Sequence, residues 1–282
     1  KRNGNKSNSL SGRSLITISI KQIPNGKWKE NCYIVCNLNN DALIIDPGGA
    51  VKSIVNFIKD KNLNVHAILN THAHYDHIGV EGQDIYNGAD DDGSGTVATL
   101  EIAEAFMLAK KAGNGPRRSV LIMPVSGEEK GLLGSRYYTD HPIYPLENTV
   151  ANLNIDMIGR LDDWHDTANY VYLIGADRLS QELHDISEQV NKEYIGLNLD
   201  YKFNEEDDPN RYYYRSDHYN FAKNNIPVIF YFNGVHEDYH KASDTVDKID
   251  FKKIETITRL VFLTAWELAN RDERIVVDKI EN

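Results

Sequence analysis

Residues 71–96, THAHYDHIGVEGQDIYNGADDDGSGT, constrain this chain more than any other stretch. His72, His74, Asp76 and His77 fall within six residues, and a Gly/Asp/Ser loop follows before an apolar helical pattern begins. Neutral imidazole and carboxylate are borderline-to-hard ligands, so such a cluster suits a divalent metal, zinc above all. Whatever fold the chain adopts must deliver this stretch to a place where strands end and ligands converge.

Around it the pattern alternates between strands and helices. Residues 15–24 alternate apolar and polar positions as a half-buried strand does, and 31–38 and 42–46 follow as two more strands about a hairpin turn. Pro47, Gly48 and Gly49 break the chain; 51–61 is then expected to be an amphipathic helix with Val51, Ile54, Val55 and Ile58 on one face. Residues 65–70 form a short apolar strand leading into the histidines. Beyond the loop, 97–112 is expected to be a helix with Leu100, Ile102, Ala103, Phe106 and Met107 inward. A buried strand at 119–125 delivers Ser126, Gly127, Glu128 and Glu129. Further strands are expected at 151–155, 170–174 and 228–232, and helices at 131–139, 179–192 and 251–270. This order argues an α/β sandwich with a mostly parallel central sheet flanked by helices. The expected organisation is a disordered lead-in at 1–14, an atypical hairpin–helix–strand section at 15–70 packed onto the main sheet, and a catalytic domain at 71–282.

Bulk properties narrow the function. The net charge of −11 argues against nucleic acid, whose phosphates need a basic surface. No run reaches the ~18 apolar residues of a membrane span. The polar start, KRNGNKSNSLSGRS, lacks the apolar core of an export signal. Cys32 and Cys36 on one strand would lie roughly 13 Å apart, too far to pair, and read as two buried thiols. The acidic run 205–208 reads as a solvated loop, with a calcium-binding or substrate-facing role as the lesser option.

His74, Asp91, Glu129, Asp156 and His240 each fall at or just beyond an expected strand end, where open α/β sheets place their sites. Five N/O ligands can hold two ions if one carboxylate bridges, a known hydrolytic arrangement. Glu128 beside Glu129 would let one carboxylate bind metal while its neighbour takes a proton from water. No GxSxG motif is present.

The series HYDHIG, YNGADDDGSG, VSGEEKGLLGS, NIDMIGR, YRSDHYNFAK and DYHKASDT resembles metallopeptidase family 28, the co-catalytic zinc aminopeptidases, over about residues 72–270. The resemblance implies two zinc ions, one held by His74, Asp91 and Asp156 and the other by Asp91, Glu129 and His240. Asp91 would bridge and Glu128 would be the general base. Asp76 would orient His74 from behind, and Asp244 would do so for His240. Tyr239 would donate to the oxyanion and Arg215 would contact substrate. A cis peptide is expected at Asp91–Asp92. The implied activity is removal of N-terminal residues from peptides with a free N-terminus, outside the cytoplasm.

The section 14–80 is similar to something else. A hairpin ending in LIIDPGG, a helix, and VHAILNTHAHYDHIGV resemble the start of metallo-β-lactamase-fold hydrolases such as glyoxalase II, whose HxHxDH motif His72, His74, Asp76 and His77 match. No TPGHT-like loop follows to supply that fold's later ligands, so the chain reads as a chimera joined at the shared HYDHIG. A lactamase-fold thioesterase or glyoxalase, and a non-catalytic binding module on a peptidase fold, are the alternatives to a peptidase.

Overall fold

A computed structural model of the protein describes residues 19–25, 30–45, 51–69 and 86–279. The chain divides into two compact units, Lys1–Leu69 and Asn70–Asn282. His72, His74, Asp76 and His77 lie outside the described residues, as do 1–14 and the break at 47–49.

In the first unit, strands β1 (Ser19–Asn25), β2 (Glu30–Cys36) and β3 (Asp41–Ile45) form an antiparallel meander. Asn37 turns the chain between β2 and β3, its Oδ1 accepting the backbone N–H of Asn39 and Asp41. Helix α1 (Val51–Lys61) then crosses over, so β4 (Asn64–Leu69) joins β3 in parallel, the direction that a crossover connection permits. Ile23, Cys32, Ile34, Ala42 and Ile44 share one buried cluster with Ile54 of α1. Val55, expected inward, is 37% exposed. Cys32 is buried whereas Cys36, expected buried, is half-buried, and neither is in a disulfide.

Among the described residues the second unit contains α2 (Gly93–Lys111) and α3 (Leu133–Asp140), followed by β5 (Asn152–Ile155) and β6 (Tyr170–Ile174). Helix α4 (Gln181–Val190), β7 (Asn198–Asp200), the short α5 (His218–Ala222), β8 (Val228–Phe232) and α6 (Phe251–Asn270) complete it. The sheet runs β5-β8-β6-β7. Its outer pairs, β5–β8 and β6–β7, are parallel, and β8–β6 is antiparallel. All residues of β6 and β8 are buried, as continuous apolar runs in a sheet covered on both faces require. Ile102 and Phe106 of α2 and Ile257, Leu260 and Val261 of α6 join Val171, Leu173, Ile229 and Tyr231 in one core. Tyr172, Ile174, Phe230 and Phe232 join Tyr213 and Phe221 in the other. Each such side chain contributes about 1.5–3 kcal/mol by leaving water. Asp250 starts α6 by accepting the N–H of Lys252 and Lys253, both at 3.0 Å.

Two expectations fail here. Residues 119–125 form no strand. They border a cavity of about 1500 Å³ whose other wall includes β5 and Val261, Ala265 and Leu268 of α6. SVLIMPV has strand composition, but a strand exists only with a partner, and composition does not supply one. On α2, Leu100 and Met107 point outward, 53% and 65% exposed, as do Val97 and Leu108. This helix is apolar around much of its circumference, so spacing alone does not choose the stripe that faces the core.

Candidate metal centre

Four segments supply the site, and each reaches it by a local device. The loop carrying Asp91 enters α2 through Asp92, whose Oδ1 caps the helix by accepting the N–H of Gly95 at 2.9 Å. The Asp91–Asp92 peptide is cis. Gly95 is required as glycine: a β-carbon there would run into the Ile155 carbonyl and the Asp92 carboxylate. The segment just after β5 stitches itself to the same loop. Met157 N–H donates to Asp92 Oδ1, Ile158 N–H to Ser94 Oγ and Gly159 N–H to Asp90 Oδ1. The loop that bears Asp91 and the strand end that bears Asp156 are thereby fixed together.

Glu128 and Glu129 sit on a single 3₁₀ turn, Glu128–Lys130, entered through Gly127 at φ 71° and left through Gly131 at φ 95°. Both glycines occupy the left-handed region, which side chains with a β-carbon resist. Met157 (φ 56°) and His240 (φ 56°) adopt it without being glycine. Left-handed non-glycine residues cost of order 1–3 kcal/mol and concentrate at functional sites.

Asp91, Glu129 and His240 each offer a ligand atom within 4.8 Å of the others. His240 Nε2 lies 3.2 Å from Asp91 Oδ2 and 2.9 Å from Glu129 Oε1. Asp91, Glu128, Glu129 and Asp156 line a common small cavity of about 30 Å³ with Met157, Phe230 and Phe232. Asp156 Oδ2 accepts from Ser216 Oγ at 2.7 Å, while Oδ1 is buried with no hydrogen-bond partner. Tyr239 stacks on His240, ring centroids 3.8 Å apart, and its hydroxyl accepts from Arg215 at 3.4 Å. The Arg215 guanidinium lies 5.1 Å above the Tyr212 ring. Asp244, expected behind His240, instead has Oδ2 on the backbone N–H groups of Asp90 and Asp91.

The electrostatics are those of carboxylates crowded together. Burial, then the charges of Asp156, Glu129, Asp217 and Asp91, push Glu128 from 4.5 up to about 10. Glu129 is raised by burial and by Asp91. Asp156 and Asp92 are raised by burial and by neighbouring aspartates. His240 is raised, chiefly by its hydrogen bond to Asp91. Burial and then the Asp91 charge raise the Tyr239 phenol. A divalent cation among these carboxylates would oppose their upward shifts by stabilising the ionised forms. The donor set of carboxylates and imidazole, with Asp156 Oδ1 left over, fits zinc.

Sequence reasoning missed Ser216 and Asp217. Asp217 is buried, pushed up to about 6 by that burial, and receives a hydrogen bond from Ser135 Oγ, which accepts from Asn220. Both lie inside YRSDHYNFAK, but the partner of Ser216 is 60 residues away in sequence, and no local pattern encodes that contact. In the acidic run, Asp208 is buried, with Oδ1 and Oδ2 accepting the N–H of Asn210 and Tyr212.

The model of peptidase family M28 matches residues 54–265. That of the metallo-beta-lactamase superfamily matches 25–80, overlapping the first across the shared histidine motif. A probable leucine aminopeptidase of Trichophyton verrucosum is 30% identical over 203 residues, covering 70% of this chain and 53% of the relative. The zinc aminopeptidase BSAP of Bacillus subtilis superimposes with a TM-score of 0.52 at 25% identity, over 69% of this chain and 45% of that one. The hydroxyacylglutathione hydrolase GloC of Haemophilus influenzae is 35% identical over 66 residues, 23% of this chain and 31% of its own length. The chain thus spans about half the length of the peptidase relatives that it matches.

Proposed function

From its membership of peptidase family M28, to which the chain belongs, we infer a zinc aminopeptidase that removes N-terminal residues from peptides. The observation that carries this reading is the convergence of Asp91, Glu129 and His240 beside Glu128 and the open oxygen of Asp156. In this reading His74, Asp91 and Asp156 would hold one zinc and Asp91, Glu129 and His240 a second, Asp91 would serve both, and Asp76 would orient His74. The ions supply Lewis acidity, polarising the scissile carbonyl and making water a stronger nucleophile at neutral pH.

The chain's own groups do the rest. Glu128 takes a proton from the attacking water and returns it to the leaving amine. Tyr239, held by Arg215, donates its hydroxyl hydrogen to the oxygen that gains charge. Met157, Phe230 and Phe232 form the apolar part of the wall of the small cavity that the carboxylates line. Family resemblance is what supports a working location outside the cytoplasm. Among the described residues no helix is long and apolar enough to cross a membrane. Calcium at 205–208 would have to displace the amides that already hold Asp208.

The lactamase-like match over 25–80 favours a second reading, a thioesterase, and one experiment separates the two. Purified protein loaded with zinc is analysed for metal and assayed on aminoacyl anilides, on the same anilides with an acetylated amine, and on glutathione thioesters. Two zinc ions and cleavage of the free-amine anilides alone are expected. Thioester turnover, or cleavage indifferent to acetylation, overturns the aminopeptidase reading.

A further inference from the structure

We propose that Asp244 is the positioning residue for the bridging ligand Asp91, and does not act through His240. The inference rests on the two-ion reading above. Asp244 is 1% exposed, and a single carboxylate oxygen, Oδ2, accepts the backbone N–H of Asp90 at 3.0 Å and of Asp91 at 3.1 Å. Its own carbonyl accepts the N–H of Ala89 at 3.2 Å, and Asn87 Nδ2 donates to the Ala242 carbonyl at 2.8 Å. The other oxygen, Oδ1, faces the Arg160 guanidinium at 3.9 Å, and Arg160 is itself braced by Asp238 at 2.9 Å. Three consecutive N–H groups, at 89–91, therefore point at one residue of the turn that also presents His240.

The consequence is geometric. From one side, Met157, Ile158 and Gly159 tie the Asp91 loop to the strand end of Asp156. From the other side, Asp244 ties it to the turn of His240. A bridging carboxylate must be placed relative to both ions at once, and these two sets of bonds fix it to a ligand of each. An ionised carboxylate holding two N–H groups is the strong form of such a bond. A lost bond of this kind around a metal ligand costs about 10–100-fold in metal affinity.

The test measures zinc affinity by competition with a chromophoric chelator for wild type, Asp244→Ala, Asp244→Asn and His240→Ala. Amide exchange at 86–92 is followed by mass spectrometry in metal-free protein. Asp244→Ala is expected to weaken both ions by about 10–100-fold and to speed exchange at 90 and 91, whereas His240→Ala weakens one ion. Asp244→Asn keeps an oxygen for both amides, so it retains slow exchange and both ions; it carries the test should the alanine variant not fold. Loss of only the ion that His240→Ala loses, or unchanged exchange at 90 and 91, overturns the proposal. Fewer than two ions in wild type would count against the two-ion reading, while the exchange measurement still tests the clamp.

Discussion

Replacing Glu128 with glutamine has opposite consequences in the two states of this protein, and both can be worked from the site. Without metal, the carboxyl is pushed from 4.5 to about 10 by burial and by Asp156, Glu129, Asp217 and Asp91. A raised acid pKa gives stability that is complete below the unfolded value and is lost as pH climbs toward the folded one. At pH 7 the folded chain keeps a proton that the unfolded chain has released about 2.5 pH units earlier, at about 1.4 kcal/mol per unit. The loss is therefore on the order of 3 kcal/mol relative to pH 4. Glutamine has the same shape and does not titrate, so metal-free Glu128→Gln should be more stable than wild type by that amount at pH 7, with the difference vanishing near pH 4. In the zinc-loaded protein the same change removes the base, and kcat should fall about 10²–10⁴-fold with both ions retained. Urea unfolding of metal-free protein at the two pH values, a zinc count and anilide kinetics measure all three quantities. Near-normal turnover, zinc loss as severe as in Glu129→Gln, or equal stability differences at both pH values would refute the reasoning.

Two further substitutions follow. Ser216→Ala removes a hydroxyl that donates to Asp156 Oδ2 at 2.7 Å and is itself held by Asn154 at 2.9 Å. It should weaken one zinc ion about 10–100-fold in chelator competition, and unchanged affinity for both ions would show that this hydroxyl does not orient the ligand. Burial lowers His218, stacked on Phe230, from 6.5 to about 3, so the unfolded chain gains a proton that the folded one refuses as pH falls. Metal-free wild type should lose about 3 kcal/mol relative to His218→Phe between pH 6.5 and 4.5, measured by urea unfolding. Parallel losses in the two proteins would mean that His218 is not the group responsible.

What the sequence made legible divides by the range of the interaction. Strands β6 and β8 are short, continuous apolar runs, and each can be read without knowing its neighbour. The acidic and histidine positions were legible because ligand chemistry restricts residue type, and Asp91, Glu129 and His240 do converge. Residues 119–125 and the outward side of α2 were misread because both depend on what lies opposite. A partner strand and a covering surface are properties of tertiary structure. The antiparallel β6–β8 pairing was also hidden, since alternating strands and helices suggest parallel neighbours. Asp244 shows the same limit within the site. The resemblance implied His240 as its partner, but the backbone groups that its Oδ2 holds are more than 150 residues away in sequence.

The shared motif HYDHIG remains the point where two chemistries compete for the same residues, and mutation separates them. In a lactamase-type site His72 and His74 bind one ion, and Asp76 with His77 binds the other, so all three histidines matter. In a peptidase site His74 alone is a ligand and Asp76 stands behind it. Side chains two apart on a strand share a face, so His72 can lie on the side of His74 without reaching an ion. Asp91, Glu129 and His240 converge without any contribution from 71–80. In the peptidase reading His74 would then complete a second ligand set with Asp156, whose Oδ1 has no hydrogen-bond partner. His74→Ala should therefore lose one zinc and nearly all anilide hydrolysis, whereas His72→Ala keeps two zinc ions and most activity. Elemental analysis and anilide kinetics on the two variants decide it. Metal loss from His72→Ala as complete as from His74→Ala would mean that the junction has kept lactamase-type ligation, and the assignment of His74 to a peptidase site would fall with it.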